Sequence, residues 1–412
     1  MTQGHTETPP EPTYDPLSAR HRSDPNTTFA ALRDRCPVHH DTHHDLWVIT
    51  RHDDVLAAAK DTATFSNRTS ASGQLRLCPE AAALLANGIR PVDTLLTLDP
   101  PGHTEIRRIV NEAFKPSRVA AMEPMVRAIT LELIAAFDTG DWVDAMSALA
   151  VPLPMRVISR ILGVPEDDFP IFKRWSDDIA TGLSADLSDA EQVAAARSRL
   201  DFYDYVVATC AERRAHPRDD VLSDLATLER SDGSRLSDPE LCSIAVQLLV
   251  AGNETSTNLL GSILLHLHRN NWWPTLVNDP GLAPAVVEET LRIESPVQAL
   301  YRRTTAPVEV AGTTIPAESR VHLVWASANR DPEAFSDPDR FDPRRPEVRT
   351  HLAFGFGSHY CPGASLARLE GRVGLEELAA RYSFLDVNET TAAWRPHFHL
   401  RGLERLDVRF QS

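Results

Sequence analysis

The chain has 412 residues, 42% hydrophobic and 24% charged, the balance of a globular protein with room for a large buried core. Its net charge of −16 argues against nonspecific nucleic-acid binding and anionic membrane surfaces, and no apolar run reaches the roughly 20 residues that cross a bilayer. Cys36, Cys78, Cys210, Cys242 and Cys361 lie far apart with no CxxC pair, so neither a zinc site nor a disulfide framework is indicated and a reducing cytoplasm fits.

Residues 1–26 are polar and Pro/Thr-rich without a signal-peptide core, and read as a loosely ordered arm ahead of a single domain over 27–412. Helix-like and strand-like pieces alternate from Thr27 to Thr62, with Leu46-Trp47-Val48-Ile49-Thr50 the clearest strand. A polar, irregular stretch follows from Ser66 to Thr94, with Gly73, Arg76, Pro79, Gly88 and Pro91; it is long for a mere connection. Asp99-Pro100-Pro101-Gly102-His103 then opens a helix, with Asp99 at the N-cap and prolines in the first turn. His103 and Arg107 are four apart and share a face, either as an exposed cationic pair or as two donors for an anion.

The region of about 97–294 is helix-rich, broken at Pro165, Pro170, Gly182 and the acidic run from Asp186 to Asp189. Its longest helix starts at a capping box, Ser237-Asp238-Pro239-Glu240, and runs to about His268, roughly 45 Å at helical rise. Ile244, Leu248, Gly252, Thr255, Leu259 and Ile263 form one stripe. Within it sits a polar group, Ala251-Gly252-Asn253-Glu254-Thr255-Ser256, where Thr255 is placed to bond back to the Ala251 carbonyl. Either this is a polar surface turn or, as the flanking leucines favour, a buried acid and hydroxyl suited to moving protons.

A helix over Ala283 to Glu294 carries Glu289 and Arg292 at i,i+3, a spacing that mostly gives surface pairs worth under about 1 kcal/mol. From 295 to 412 the signal is mixed strand and coil: Val308-Glu309-Val310, a turn at Ala311-Gly312, Arg320 to Trp325, then Pro-rich coil. A hairpin is expected near Pro396 to Phe398. Before the last helix, Ala364 to Tyr382, comes the decapeptide Phe354-Gly355-Phe356-Gly357-Ser358-His359-Tyr360-Cys361-Pro362-Gly363. A cysteine ahead of a helix meets free backbone N–H groups that favour its thiolate, and the glycines let backbone turn sharply and approach a flat ligand. Alone, this segment is either a buried structural cysteine or a thiolate for a soft metal whose other ligands come from a cofactor.

Together these motifs resemble the cytochrome P450 heme-thiolate monooxygenases in their soluble bacterial form. Five segments match in the family's order: Asp99-Pro100-Pro101 with His103 and Arg107; Ala251-Gly252 with Glu254-Thr255; Glu289 with Arg292; Asn329-Arg330-Asp331-Pro332; and the cysteine decapeptide. Ser256 stands where a second threonine is commoner, a mild departure.

The resemblance implies a mainly α fold with small β-sheets (α+β), with heme b between a long central helix and a Cys-bearing loop. It implies Cys361 as the iron ligand, with Phe354, Gly355 and Gly363 around it and Ala251 and Gly252 on the opposite face. His103, Arg107, His359 and Arg302 are implied as propionate donors, with Arg303 leaving the register open by one residue. Glu254 and Thr255 would relay protons, and Glu289 and Arg292 would form a buried structural pair completed near Arg340. A tentative substrate pocket includes Leu248, Asn253, Val297, Gln298, Leu300 and Phe398, suiting a medium-sized, largely apolar natural-product intermediate. O2 would be the co-substrate, and electrons would come from NAD(P)H through a ferredoxin reductase and ferredoxin. The ferredoxin would dock on a basic face of Arg107, Arg108, Lys115, Arg344, Arg345, Arg349 and Arg368. The implied protein is a cytoplasmic monomer without a nucleic-acid or membrane partner. A peroxygenase or a non-catalytic heme sensor is the alternative, and the Glu254–Thr255 pair argues against both.

Overall fold

The computed structural model describes residues 13–68, 77–135, 137, 140–181, 187–230 and 232–411. Its axis is the helix expected from the capping box. It runs Asp238–Arg269, 32 residues, and the Glu240 carboxylate accepts from Ser237 N at 2.9 Å and Ser237 Oγ at 2.7 Å. The helices Pro152–Leu162, Phe169–Thr181, Asp189–Ala215, Ala283–Ile293 and Ala364–Arg381 pack around it. Ile244, Leu248, Leu259 and Ile263 of the central helix enter the main hydrophobic core, because steps of three and four residues keep them on one inward face.

The β structure is small and lies to one side. A five-stranded sheet has the order Val38–Asp41, Leu46–Ile49, Arg320–Leu323, Leu300–Thr304, Phe65–Ser66. Leu46–Ile49 runs parallel to Arg320–Leu323, with Val48 opposite His322, and the other neighbours are antiparallel. A hairpin pairs Ala393–Trp394 with Leu403–Arg405, and its connecting residues lie against the central helix. The fold is mainly α with small sheets, as the motifs implied.

Three local expectations are corrected. The residues after 12 are not a loose arm: Tyr14 is buried and its hydroxyl hydrogen-bonds His322 Nδ1 at 3.0 Å. Helices Ala19–Ser23 and Pro25–Arg35 follow at once. Nothing in the local composition signals this, because Tyr14 finds its ring partners, Phe29 and His322, only in the folded chain. Asp99 does not cap the helix Gly102–Ala113 with its side chain; its carboxylate accepts from Asn67 N at 2.8 Å, tying the edge strand to the helix start. The stretch after Ser66 is not wholly irregular, since Pro79 at the first turn and the alanines and leucines behind it form the helix Pro79–Ala86. Gly73, Arg76, Gly182 and Asp186 lie outside the described residues.

Glu289 and Arg292 form a pair with no exposed side-chain surface. Arg292 Nε and Nη2 meet Glu289 Oε2 and Oε1 at 2.8 and 2.7 Å. The remaining N–H groups go to the carbonyls of Asn329, Pro338 and Arg340 at 2.9, 2.7 and 3.1 Å. The neighbour that completes the cluster through its side chain is Arg345, with Nε 3.5 Å from Glu289 Oε1; Arg340 contributes its carbonyl and sends its guanidinium to Asp342. Arg292→Leu leaves a buried carboxylate unbalanced and is expected to cost about 3–5 kcal/mol. The urea unfolding midpoint measures this, and the Glu289→Leu/Arg292→Leu double variant is expected to lose less than the sum of the single changes.

Candidate active site

The cysteine loop is held by its own backbone. Cys361 N donates to the Phe354 carbonyl at 2.9 Å, and Gly355 N to the Leu352 carbonyl at 2.9 Å. Gly355 and Gly357 adopt φ of 69° and 73°, left-handed values that residues with a Cβ rarely take. The loop ends where the helix Ala364–Arg381 begins, so the thiol meets the N–H groups of Gly363 and Ala364. Burial pushes the thiol above its ordinary value, while those N–H groups and the Arg107 and Arg368 charges pull toward the thiolate. A Cβ on Gly363 would lie 3.9 Å from the sulfur.

Phe354 packs beside this loop with the Arg368 guanidinium 4.5 Å over its ring. Arg368 Nη2 in turn donates to Glu288 Oε2 at 3.0 Å, and His351 Nε2 lies 3.0 Å from the same oxygen. Burial alone would raise the Glu288 carboxyl, yet these two partners outweigh it and hold it at about 2. The loop is thereby braced on the helix Ala283–Ile293.

Donors from this loop and from two further elements, the helix Gly102–Ala113 and the strand Leu300–Thr304, converge nearby. The rings of His103, from the helix Gly102–Ala113, and His359, from the cysteine loop, have centroids 4.0 Å apart. Each carries a buried Nε2 with no hydrogen-bond partner. Arg302 is 4% exposed, and among the described residues its hydrogen bond is to the adjacent Tyr301 carbonyl, at 2.7 Å. Burial pulls its guanidinium down to about 10. Burial, His103 and Arg302 together pull the His359 imidazole down to about 3. Strand alternation settles which arginine points inward, because Arg303 turns out to pair with Glu318 at 2.8 Å. Arg107 is drawn to the cysteine loop instead, with its guanidinium on the Tyr360 carbonyl and Nε on Asn111 Oδ1 at 2.7 Å.

In the central helix, Thr255 Oγ1 donates to the Ala251 carbonyl at 2.7 Å. Ala251 is exposed although it lies mid-helix, while the missing side chain of Gly252 lets the central helix pack close to Ile158, 3.0 Å from where a Cβ would stand. Glu254 pairs with Arg395 of the C-terminal hairpin at 2.8 Å. Sequence reasoning missed Arg395, since a charge partner 141 residues away leaves no local signal. A cavity of about 270 Å³ lies beside this pair, with Asp177, Thr181, Val250, Asn258 and Leu400 among its walls.

The tentative pocket residues do not line that cavity. Leu248 is core, Asn253 Nδ2 donates to Ser176 Oγ at 3.1 Å, and Gln298 Nε2 donates to the Ser295 carbonyl at 2.6 Å. Val297 bridges to Leu400, and Leu300 opens a sheet strand. Phe398 packs among the rings of His44, Tyr301 and His322. The basic face also shrinks: Arg345 is buried, Arg368 pairs with Glu288, and Lys115 pairs with Glu112 at 3.3 Å. Arg108, Arg344 and Arg349 stay exposed.

The cytochrome P450 family model matches residues 278–400, which include the buried ion pair and the cysteine loop. The chain is 39% identical over 388 residues to the erythromycin C-12 hydroxylase of Saccharopolyspora erythraea, covering 92% of this chain and 93% of that protein. This protein belongs to the cytochrome P450 family. It is also 36% identical to the cytochrome P450 monooxygenase PikC of Streptomyces venezuelae, over 99% of this chain and 96% of PikC. Among solved structures, cytochrome P450 CYP109Q5 from Chondromyces apiculatus aligns with a TM-score of 0.87 at 37% identity, covering 97% of this chain and 98% of that one. The protein is a P450 monooxygenase, and the family implies heme.

The residues fit that group. The Nε2 atoms of His103 and His359, unpartnered among the described residues, and the buried Arg302 are donors whose nearby acid, Asp99, is engaged by Ser66 and Asn67, and heme brings two carboxylates. Among the described residues, no cluster of three or more His, Cys, Asp or Glu is arranged for a separate metal ion. None of the described helices is long and apolar enough to cross a membrane. Arg302→Leu removes a buried cation, so the heme-free protein is expected to melt no lower than wild type. Heme transfer to an acceptor apoprotein is expected to speed up about 10- to 100-fold, the worth of a charged hydrogen bond.

Proposed function

We propose that this P450 holds heme iron through Cys361 and inserts one oxygen atom of O2 into a medium-sized, largely apolar molecule, the other atom leaving as water. The observation that carries this reading is the convergence of His103 Nε2 and His359 Nε2, unpartnered among the described residues, with the buried Arg302, beside a cysteine facing helix N–H groups. His103, His359 and Arg302 would take the propionates, and Arg107, bound to the Tyr360 carbonyl, would chiefly steady the ligand loop. When bound, heme supplies the oxygen-activating iron and porphyrin.

The chain's own residues do the rest. The Gly363 and Ala364 N–H groups steady charge on the sulfur, and Phe354 under the Arg368 guanidinium shields it from water. Thr255 rests with its hydroxyl donating to the Ala251 carbonyl and its lone pairs free to accept a hydrogen bond; to relay a proton it would turn that hydroxyl away and release its own proton as it receives another. Glu254 is the acid that supplies it, and its pair with Arg395 must open for the carboxyl to carry one.

Electrons would come from NAD(P)H through a ferredoxin reductase and ferredoxin. Exposed Arg108, Arg344 and Arg349 support a docking face for an acidic carrier on a chain of net charge −16. The erythromycin hydroxylase relative supports a natural-product substrate.

The reduced carbon-monoxide adduct is expected to show the red-shifted Soret band of thiolate ligation, and Cys361→Ser to lose it; a histidine-type spectrum in fresh protein contradicts the assignment. A ligand screen read by iron spin state supplies a substrate. With it, Thr255→Ala is expected to keep heme yet lower product formed per reductant consumed, diverting electrons to peroxide. The loss extends to on the order of 10²-fold if Thr255 is the sole proton relay. Unchanged coupling removes Thr255 from the proton path.

A further inference from the structure

Glu370 lies nine positions after Cys361 and turns inward from the helix Ala364–Arg381, with 1% of its surface exposed. Both of its carboxyl oxygens are buried without a hydrogen-bond partner. The polar group that faces it is the hydroxyl of Ser256, the residue after Thr255 on the central helix. Glu370 therefore sits between the helix that follows the thiol and the helix that carries the acid–alcohol pair.

Among the described residues no neighbouring cation balances it, because the charged groups on the surrounding helices are engaged elsewhere. On Glu123–Ala135 and its own helix, Glu123, Arg127, Arg372, Glu376 and Glu377 bind one another. Glu288 holds Arg368 and His351, Glu289 holds Arg292, and Arg118 of Pro116–Ala121 holds Asp219. On the central helix, Glu254 holds Arg395 and His266 faces Glu294. Close packing leaves little room for compensating water: a Cβ at Gly371 would stand 3.0 Å from Val287, and one at Gly374 3.4 Å from Leu260. Burial accordingly pushes the Glu370 carboxyl up to about 8, with Ser256 opposing it.

We propose that Glu370 is the internal proton acceptor that compensates for the electron this P450 receives. One electron from a small electron-carrier protein reduces the ferric iron to ferrous, and the carboxylate fraction of Glu370 takes one proton from solvent. The added negative charge and the added proton cancel inside the protein. Six residues of helix separate Ala364 from Glu370, roughly 9 Å of rise. At roughly 10 Å, and an effective dielectric constant near 20, one unit of charge shifts a carboxyl group by about one pKa unit. Reduction raises the proton affinity of Glu370, so the potential falls with pH between its ferric-state and ferrous-state titrations.

The proposal rests on Cys361 holding heme iron, and its test separates the two. The midpoint potential of the holoprotein is measured from pH 6 to 10 by spectroelectrochemistry, for wild type, Glu370→Gln and Ser256→Ala. Wild type is expected to show a sloping window reaching about 30 mV per pH unit, half the limit of about 59 mV for one proton per electron, because the two titrations lie only about one unit apart. Glu370→Gln is expected to be flat there, and Ser256→Ala to move the window to higher pH. The same slope in wild type and Glu370→Gln overturns the proposal, as does a wild type without a slope. Should Glu370→Gln fail to fold, the reduced-minus-oxidised infrared spectrum of wild type near pH 8 replaces it. A gained protonated-carboxyl band supports the uptake, and no change overturns it. A thiolate-type carbon-monoxide spectrum with a pH-independent potential sinks this inference alone, whereas loss of the thiolate spectrum sinks the heme-ligand reading with it.

Discussion

Arg292 and Glu289 are wholly buried, and two charges taken out of water are tolerable only when every donor and acceptor finds a partner. Here they do. The five N–H groups of the guanidinium reach both Glu289 oxygens and the carbonyls of Asn329, Pro338 and Arg340, while Glu289 also accepts from Asp342 N at 2.8 Å. A coil with almost no regular structure is thus pinned at several points to one helix. The Asn329 side chain, in the same coil, accepts from Leu352 N at 2.6 Å, two residues before the cysteine loop begins. The position of Cys361 is inherited from that knot.

A second constraint acts on the other side of the loop. Glu288, the residue before Glu289, holds His351 and Arg368, and Arg368 lies over Phe354. One turn of helix therefore presents two neighbouring carboxylates, one fixing the coil and one fixing the sulfur's surroundings. In contrast, among the described residues His103, His359 and Arg302 have no acid hydrogen-bonded to them, since the nearby Asp99 is engaged by Ser66 and Asn67, which is costly unless a ligand supplies one. Stability is stored in the scaffold and withheld at the site.

Electrostatics divides the central helix in a similar way. Glu254 has a cation and a cavity beside it. Glu370, behind the same helix, has neither, and burial keeps it largely neutral. The two acids meet different environments, which separates their roles although both serve one helix turn.

Much of this was legible in the sequence because the signals were local. The capping box at Ser237 fixed the start of the long helix, the threonine four residues after Ala251 fixed its back-bond, and glycines at 355 and 357 marked left-handed turns. Spacing alone offered Glu289 and Arg292 as a pair, but their burial came from carbonyls some forty residues away. Arg395 opposite Glu254, Tyr14 beneath the sheet, the burial of Arg302 beside an Arg303 paired with Glu318, and the ring contacts of Phe398 were decided by tertiary structure. Backbone turns and caps depend on neighbours within a few residues, which the sequence displays directly. Ion pairs, burial and cavity walls depend on which distant segments pack together, and no local pattern carries that.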